Sequence, residues 1–74
     1  MIFIKSFTGI YLTVEIDFSE TIEELKKNIE SKTDIKFENI MLLYAGKQLM
    51  NENKINDYMT LRDNCTVYLR DTSR

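Results

Sequence analysis

Histidine, proline and tryptophan are absent from this chain, and cysteine occurs once, as Cys65. With no imidazole and one thiol, neither a zinc site nor a Cys-His nucleophile has its raw material. The inventory points to a non-catalytic protein with no cofactor and no metal. A lone Cys65 excludes an internal disulfide and suits a reducing compartment, cytoplasmic and/or nuclear. Basic charge is also in short supply: 10 Lys and Arg stand against 12 Asp and Glu, a net charge of -2. The cations are scattered among acids rather than gathered into a stripe, which argues against nucleic acid as a partner. No apolar run approaches the roughly 20 residues that span a bilayer, and no signal-peptide pattern leads the chain. No membrane attachment is expected.

What is present suits one small globular domain. Of 74 residues, 43% are hydrophobic and 30% charged. There is no internal repeat, linker or low-complexity segment, and a monomer is expected. Met1 to Phe7 alternates, with Ile2 and Ile4 on one face and Phe3, Lys5 and Phe7 on the other. Thr8-Gly9 turns the chain, and Ile10 to Ile16 returns with Leu12, Val14 and Ile16 inward and Tyr11, Thr13 and Glu15 outward. The inward sets meet if Ile4 faces Leu12 and Ile2 faces Val14. A slip of one residue would expose them all.

Thr21-Ile22-Glu23-Glu24 has the form of a capping box, and the helix it opens buries Ile22, Leu25 and Ile29. Glu23 with Lys27, and Lys26 with Glu30, read as i,i+4 pairs on the solvated side. Thr33-Asp34 ends the helix, and Ile35 tucks under it. Residues 36–39 are loop, Ile40 to Tyr44 is a strand, and Ile55 anchors a polar connection. Thr66 to Arg70 is the last strand, with Val67 and Leu69 inward and Tyr68 and Arg70 outward. Two strands, a helix and further strands sharing one apolar face describe an α+β sheet packed on a helix.

The chain is organised around Leu42-Leu43-Tyr44-Ala45-Gly46-Lys47-Gln48-Leu49. Ala45-Gly46-Lys47 is a tight reversal in which Gly46 takes a positive φ cheaply. Neighbours in a strand point to opposite faces. With Leu42 in the core, Leu43 is an apolar side chain offered to water near the cation Lys47. The segment resembles the third strand and turn of ubiquitin and ubiquitin-like domains. The likeness continues in Lys5 with Thr8-Gly9, in Ser19-Glu20-Thr21-Ile22-Glu23 and in Asp57-Tyr58, in the same order and at nearly unbroken spacing. It implies a β-grasp fold over residues 1–70: a mixed sheet with its first and last strands parallel at the centre. Residues 71–74 then read as a polar tail at the edge of a longer protein. Tyr58 resembles the family's buried tyrosine, whose hydroxyl satisfies backbone groups. The chain departs from the family in lacking prolines at 36–39 and in holding one more residue between Tyr58 and Thr66.

The resemblance places Phe7, Leu43 and Tyr68 where ubiquitin carries its hydrophobic recognition patch, with Gly46 and Lys47 at its edge. Such a patch works because a partner's short helix buries its apolar stripe there, while Lys47 meets a rim acid. Met41 stands where ubiquitin has an arginine and Arg70 where it has an aliphatic residue, so the charge has changed sides. A private partner is then a candidate beside ubiquitin-binding domains and proteasome subunits. Cross-strand stabilisation is the competing account of these side chains. Phe3, Ile10 and Tyr11 form a candidate second surface, for which an aromatic pair bracing the hairpin is the plainer account. Lys5, Lys26, Lys32 and Lys47 match positions that carry further ubiquitin in chains, and solvated charge is the plainer reading. Cys65 reads as a small packing residue. No glycine follows Gly46, so the chain as given lacks the Gly-Gly end that conjugation uses. The resulting expectation is a non-conjugated ubiquitin-like interaction domain, the N-terminal module of a larger protein. Its alternatives are a divergent modifier attached through a C-terminus past Arg74, and a scaffold domain packed permanently on its own chain or on a subunit.

Overall fold

Alternation decides the first hairpin. Strand β1 (Ile2–Ser6) buries Ile2, Ile4 and Ser6, and strand β2 (Tyr11–Val14) returns antiparallel to it. Ile2 lies opposite Val14 and Ile4 opposite Leu12, the register that the inward sets require. Both strands are shorter than their alternating stretches, because the connection closes on Ser6: its N–H donates to the Ile10 carbonyl at 2.8 Å. The computed structural model describes residues 1–58 and 65–72. The extra residue expected between Tyr58 and Thr66 therefore falls largely outside the described residues, as does the end of the tail.

Helix α1 (Ile22–Lys32) begins where its capping box says it should. The Thr21 hydroxyl accepts the Glu24 N–H at 3.2 Å, and the Glu24 carboxylate accepts the Thr21 N–H at 2.9 Å. The first two amides, which a helix cannot satisfy internally, donate to loop carbonyls: Ile22 to Asn53 at 2.9 Å and Glu23 to Asn51 at 3.3 Å. At the other end Thr33 takes the place of a terminating glycine. Its hydroxyl donates to the Ile29 carbonyl at 3.0 Å and accepts the Ile35 N–H at 3.2 Å.

A 3-10 turn (Phe37–Asn39) leads into β3 (Ile40–Tyr44), and β4 (Lys47–Gln48) follows it directly. The two residues between them, Ala45 and Gly46, have φ of 54° and 78°. Both values are positive, as the two-residue hairpin turn matching strand twist requires. Leu49 then returns to the core, its N–H donating to the Leu42 carbonyl at 2.8 Å. The last strand, β5 (Thr66–Asp71), runs one residue past Arg70, and Thr72 donates its N–H to the Asn39 carbonyl at 2.8 Å.

The five strands form one sheet in the order β2-β1-β5-β3-β4, with β1 and β5 parallel at its centre and the other pairs antiparallel. One face covers the core built from Ile2, Ile4, Val14, Leu42, Val67 and Leu69 against Ile22, Leu25 and Ile29 of α1. This is the β-grasp arrangement. Ile55 is fully buried, and the Tyr58 hydroxyl accepts the Met50 N–H at 2.8 Å and the Asn53 amide at 3.1 Å, holding the polar connection. Cys65 is half-buried and accepts the Tyr44 hydroxyl at 3.4 Å.

One side chain of α1 departs from its expected place. Glu23 and Lys27 do pair at 3.4 Å in water, but Lys26 is only 7% exposed. It lies in the buried stripe with Ile22 and Ile29, at the i+4 position such a stripe uses. A lysine can occupy such a position because its long aliphatic stem packs like an apolar side chain. Burial pushes its pKa below the ordinary 10.5. Between that lowered value and 10.5 the unfolded chain binds more protons than the folded one, so this contribution to stability rises with pH. Lys26→Met keeps the stem and drops the charge. It should raise stability at pH ~7 by no more than about 1 kcal/mol, the ammonium being partly solvated, and flatten the alkaline rise. Urea unfolding across neutral to alkaline pH measures both.

Candidate functional site

The sheet face turned away from α1 carries the outward set of each strand. Leu43 of β3 stands opposite Tyr68 of β5, and Met41 opposite Arg70. Phe7 follows the end of β1 and is 74% exposed. Its ring lies parallel to that of Tyr68, 13° between planes and 6.0 Å between centroids. Tyr68 itself is 43% exposed. The turn that carries Phe7 is tied down by Ser6. Ser6 is 8% exposed, and its Oγ accepts the N–H groups of Thr8 at 3.1 Å and Ile10 at 3.0 Å. The Thr8 hydroxyl lies 2.9 Å from the same oxygen. Gly9, at φ 101°, lets the turn close. A shallow cavity of about 340 Å³ opens between this turn and β5, lined by Ser6, Phe7, Thr8, Leu69, Arg70 and Asp71.

The structure thus brings together Phe7, Met41, Leu43, Tyr68 and Arg70. Gly46 sits in the β3–β4 turn beside them. Lys47 is not brought alongside Leu43: the two-residue turn sets Lys47 opposite Tyr44 and Gln48 opposite Leu43. In the second group, Phe3 and Tyr11 meet edge to face with centroids 6.1 Å apart, and Tyr11 is 65% exposed. Ile10 does not join them. It is half-buried and packs against the core. Ser6 and Gln48 are the residues that sequence reasoning passed over. Ser6 shares the period-two inward set of Ile2 and Ile4, and turn length alone assigns Gln48 its place.

The outward positions within the strands carry two cations, Lys5 and Arg70; carboxylates stand at the margin, Glu15 just past β2 and Asp71 in the cavity lining beside Arg70. Among the described residues no group of three or more His, Cys, Asp or Glu is placed to hold a metal ion. No described helix is long and apolar enough to cross a membrane.

Comparison with known sequences agrees with this architecture. The family described as Ubiquitin family matches residues 2–71. A curated relative, ubiquitin-like protein 1 of Schizosaccharomyces pombe, is 29% identical over 58 residues, covering 78% of this chain and 74% of that protein.

Proposed function

The chain belongs to the ubiquitin family, and we propose that it is a non-catalytic interaction domain that docks partner proteins through the Phe7, Leu43 and Tyr68 face. Ubiquitin-like domains generally mediate protein–protein contacts and are generally non-catalytic. The observation that carries the reading is the exposed Phe7–Tyr68 stack beside Leu43 and Met41. Single exposed apolar groups are ordinary on a folded protein, but a contiguous patch of them rimmed by charge marks a contact surface. The patch is small, so the affinity is roughly micromolar and the contact reversible. Ubiquitin-binding domains and proteasome subunits are the partner classes it addresses, with Arg70 and Met41 tuning the choice among them.

Titration of the isotope-labelled domain with an isolated ubiquitin-associated domain, and separately with a ubiquitin-interacting helix, tests the proposal. Saturable amide shifts centred on Phe7, Leu43, Gly46 and Tyr68 are expected. Silence at roughly millimolar ligand would show that the fold is kept and this mode of recognition lost.

A further inference from the structure

The sheet ends in two edges of different character. At one edge β4 is two residues long and carries Lys47. Shortness and an edge lysine are devices that keep a strand from pairing with another chain. At the other edge β2 reads Tyr-Leu-Thr-Val, with no charge, no proline and an unbroken register against β1. It carries neither protection. The Ser6 N–H donates to the Ile10 carbonyl, and an antiparallel ladder alternates, so Ile10, Leu12 and Val14 aim their main-chain groups at β1. Tyr11 and Thr13 aim theirs at the open side, where no described strand meets them. Ile10 and Leu12 are half-buried beside the core at the same margin.

We infer that β2 pairs antiparallel with β2 of a second copy of this chain, Leu12 facing Leu12 across a two-fold axis. The strand is complementary to itself in that register. Tyr11 stands opposite Thr13 of the second copy, and each such pair exchanges two hydrogen bonds through the groups that β1 leaves unused. A slip of one residue would set open-side groups against groups already bonded to β1, and turn core side chains against outward ones. On the core side Ile10 meets Val14 of the second copy and Leu12 meets its equivalent, which extends the apolar strip across the seam. On the outward side Thr13 lies beside Phe3, so the edge-to-face Phe3 and Tyr11 rings of each copy flank the seam. Glu15 of one copy and Glu15 of the other fall at opposite ends, and like charges do not meet. The edge offers no charge with which to select a foreign segment, while its own sequence matches it residue for residue. Because the two-fold axis stands perpendicular to the sheet, both helices lie on one side and both Phe7, Leu43 and Tyr68 faces on the other. The pairing thus goes beyond the docking reading: a bivalent partner meets two faces at once. A seam this short is far below the roughly 20–30 residues a side of a standard interface. The pair is therefore weak, with a Kd on the order of 0.1–1 mM.

The test mixes isotope-labelled and unlabelled domain at about 2 mM and reads magnetisation transfer between copies. A Leu12 Hα–Hα contact between copies is expected, because opposed residues outside the hydrogen-bonded pairs bring their Cα atoms to about 4.5 Å. Amide exchange at Tyr11 and Thr13 should slow, and diffusion should slow with it, as the concentration rises from about 20 μM to about 2 mM. Thr13→Pro removes an N–H that the single copy does not use and that an edge strand can spare. It should keep diffusion at its dilute value. Leu12→Lys and Leu12→Glu each set like charges face to face and should stay single, whereas an equal mixture of the two should pair again. Unchanged diffusion up to about 2 mM with no Leu12 contact would overturn the inference. So would association that survives in folded Thr13→Pro, which would place the contact elsewhere on the domain. Slowed exchange at Tyr11 and Thr13 that appears only with an added extended peptide would give the edge another occupant and likewise overturn it. If the substituted chains do not fold, the Leu12 contact in the unaltered domain still decides.

Discussion

Leu42→Ala is expected to lower the free energy of unfolding by about 2–5 kcal/mol, whereas Leu43→Ala, one residue along, changes it by less than about 1 kcal/mol and abolishes docking. The two leucines differ only in the face to which the strand turns them. Leu42 is fully buried and stands opposite Leu69 at the middle of the sheet. Its removal takes away both transfer free energy and packing contacts, and the surrounding strands are paired too firmly to close the cavity. A domain of this size has only several kcal/mol in hand, so Leu42→Ala should be partly unfolded at physiological temperature. Leu43 is half-exposed and touches the sheet through its cross-strand neighbour Tyr68. Truncating it loses a surface pair and little else, while the docking face loses its centre. Urea unfolding of both variants, run beside the titration with a ubiquitin-associated domain, separates the roles. If Leu43→Ala unfolds as readily as Leu42→Ala, the outward face is structural and the docking proposal fails with it.

That contrast was legible in the sequence because strand periodicity is strict. The same rule gave the β1–β2 register, and the pattern Thr21-Ile22-Glu23-Glu24 gave the start of α1. At two positions residue type and periodicity point in opposite directions, and periodicity decides. Lys26 occupies an i+4 position in the apolar stripe of Ile22, Leu25 and Ile29, although its charge alone argues for water. Its four-carbon stem makes the stripe position tenable. Ile10 is an apolar neighbour of the outward Tyr11, and because adjacent residues of an extended chain face opposite ways it packs against the core. A different limit applies to contacts across the sheet. Lys5 and Tyr68 are joined by parallel pairing between the two ends of the chain, and no local pattern encodes that contact. Topology was supplied by family resemblance, and the exact pairing by the register that the fold settles on.

Ser6→Ala is expected to destabilise the domain by about 0.5–1.5 kcal/mol, the effect of losing hydrogen bonds to two partly buried amides. Ser6 Oγ is the acceptor for the N–H groups of both Thr8 and Ile10. The turn folds tightly around that oxygen, so alanine leaves two amides with no replacement inside the protein. Ser6→Thr keeps the oxygen and should restore most of the loss, which a purely steric account would not allow. The effect should extend from stability to recognition, because Phe7 lies within this turn and its stack on Tyr68 depends on where the turn holds it. In Ser6→Ala the Phe7 ring should lose its ring-current shifts on Tyr68, and the docking affinity should fall several-fold in the fraction still folded. Thermal unfolding and aromatic proton spectra check the two consequences separately. A variant that unfolds early yet keeps the Tyr68 shifts would mean that strand pairing alone positions Phe7. In that case the Ser6 hydroxyl serves the fold and not the face.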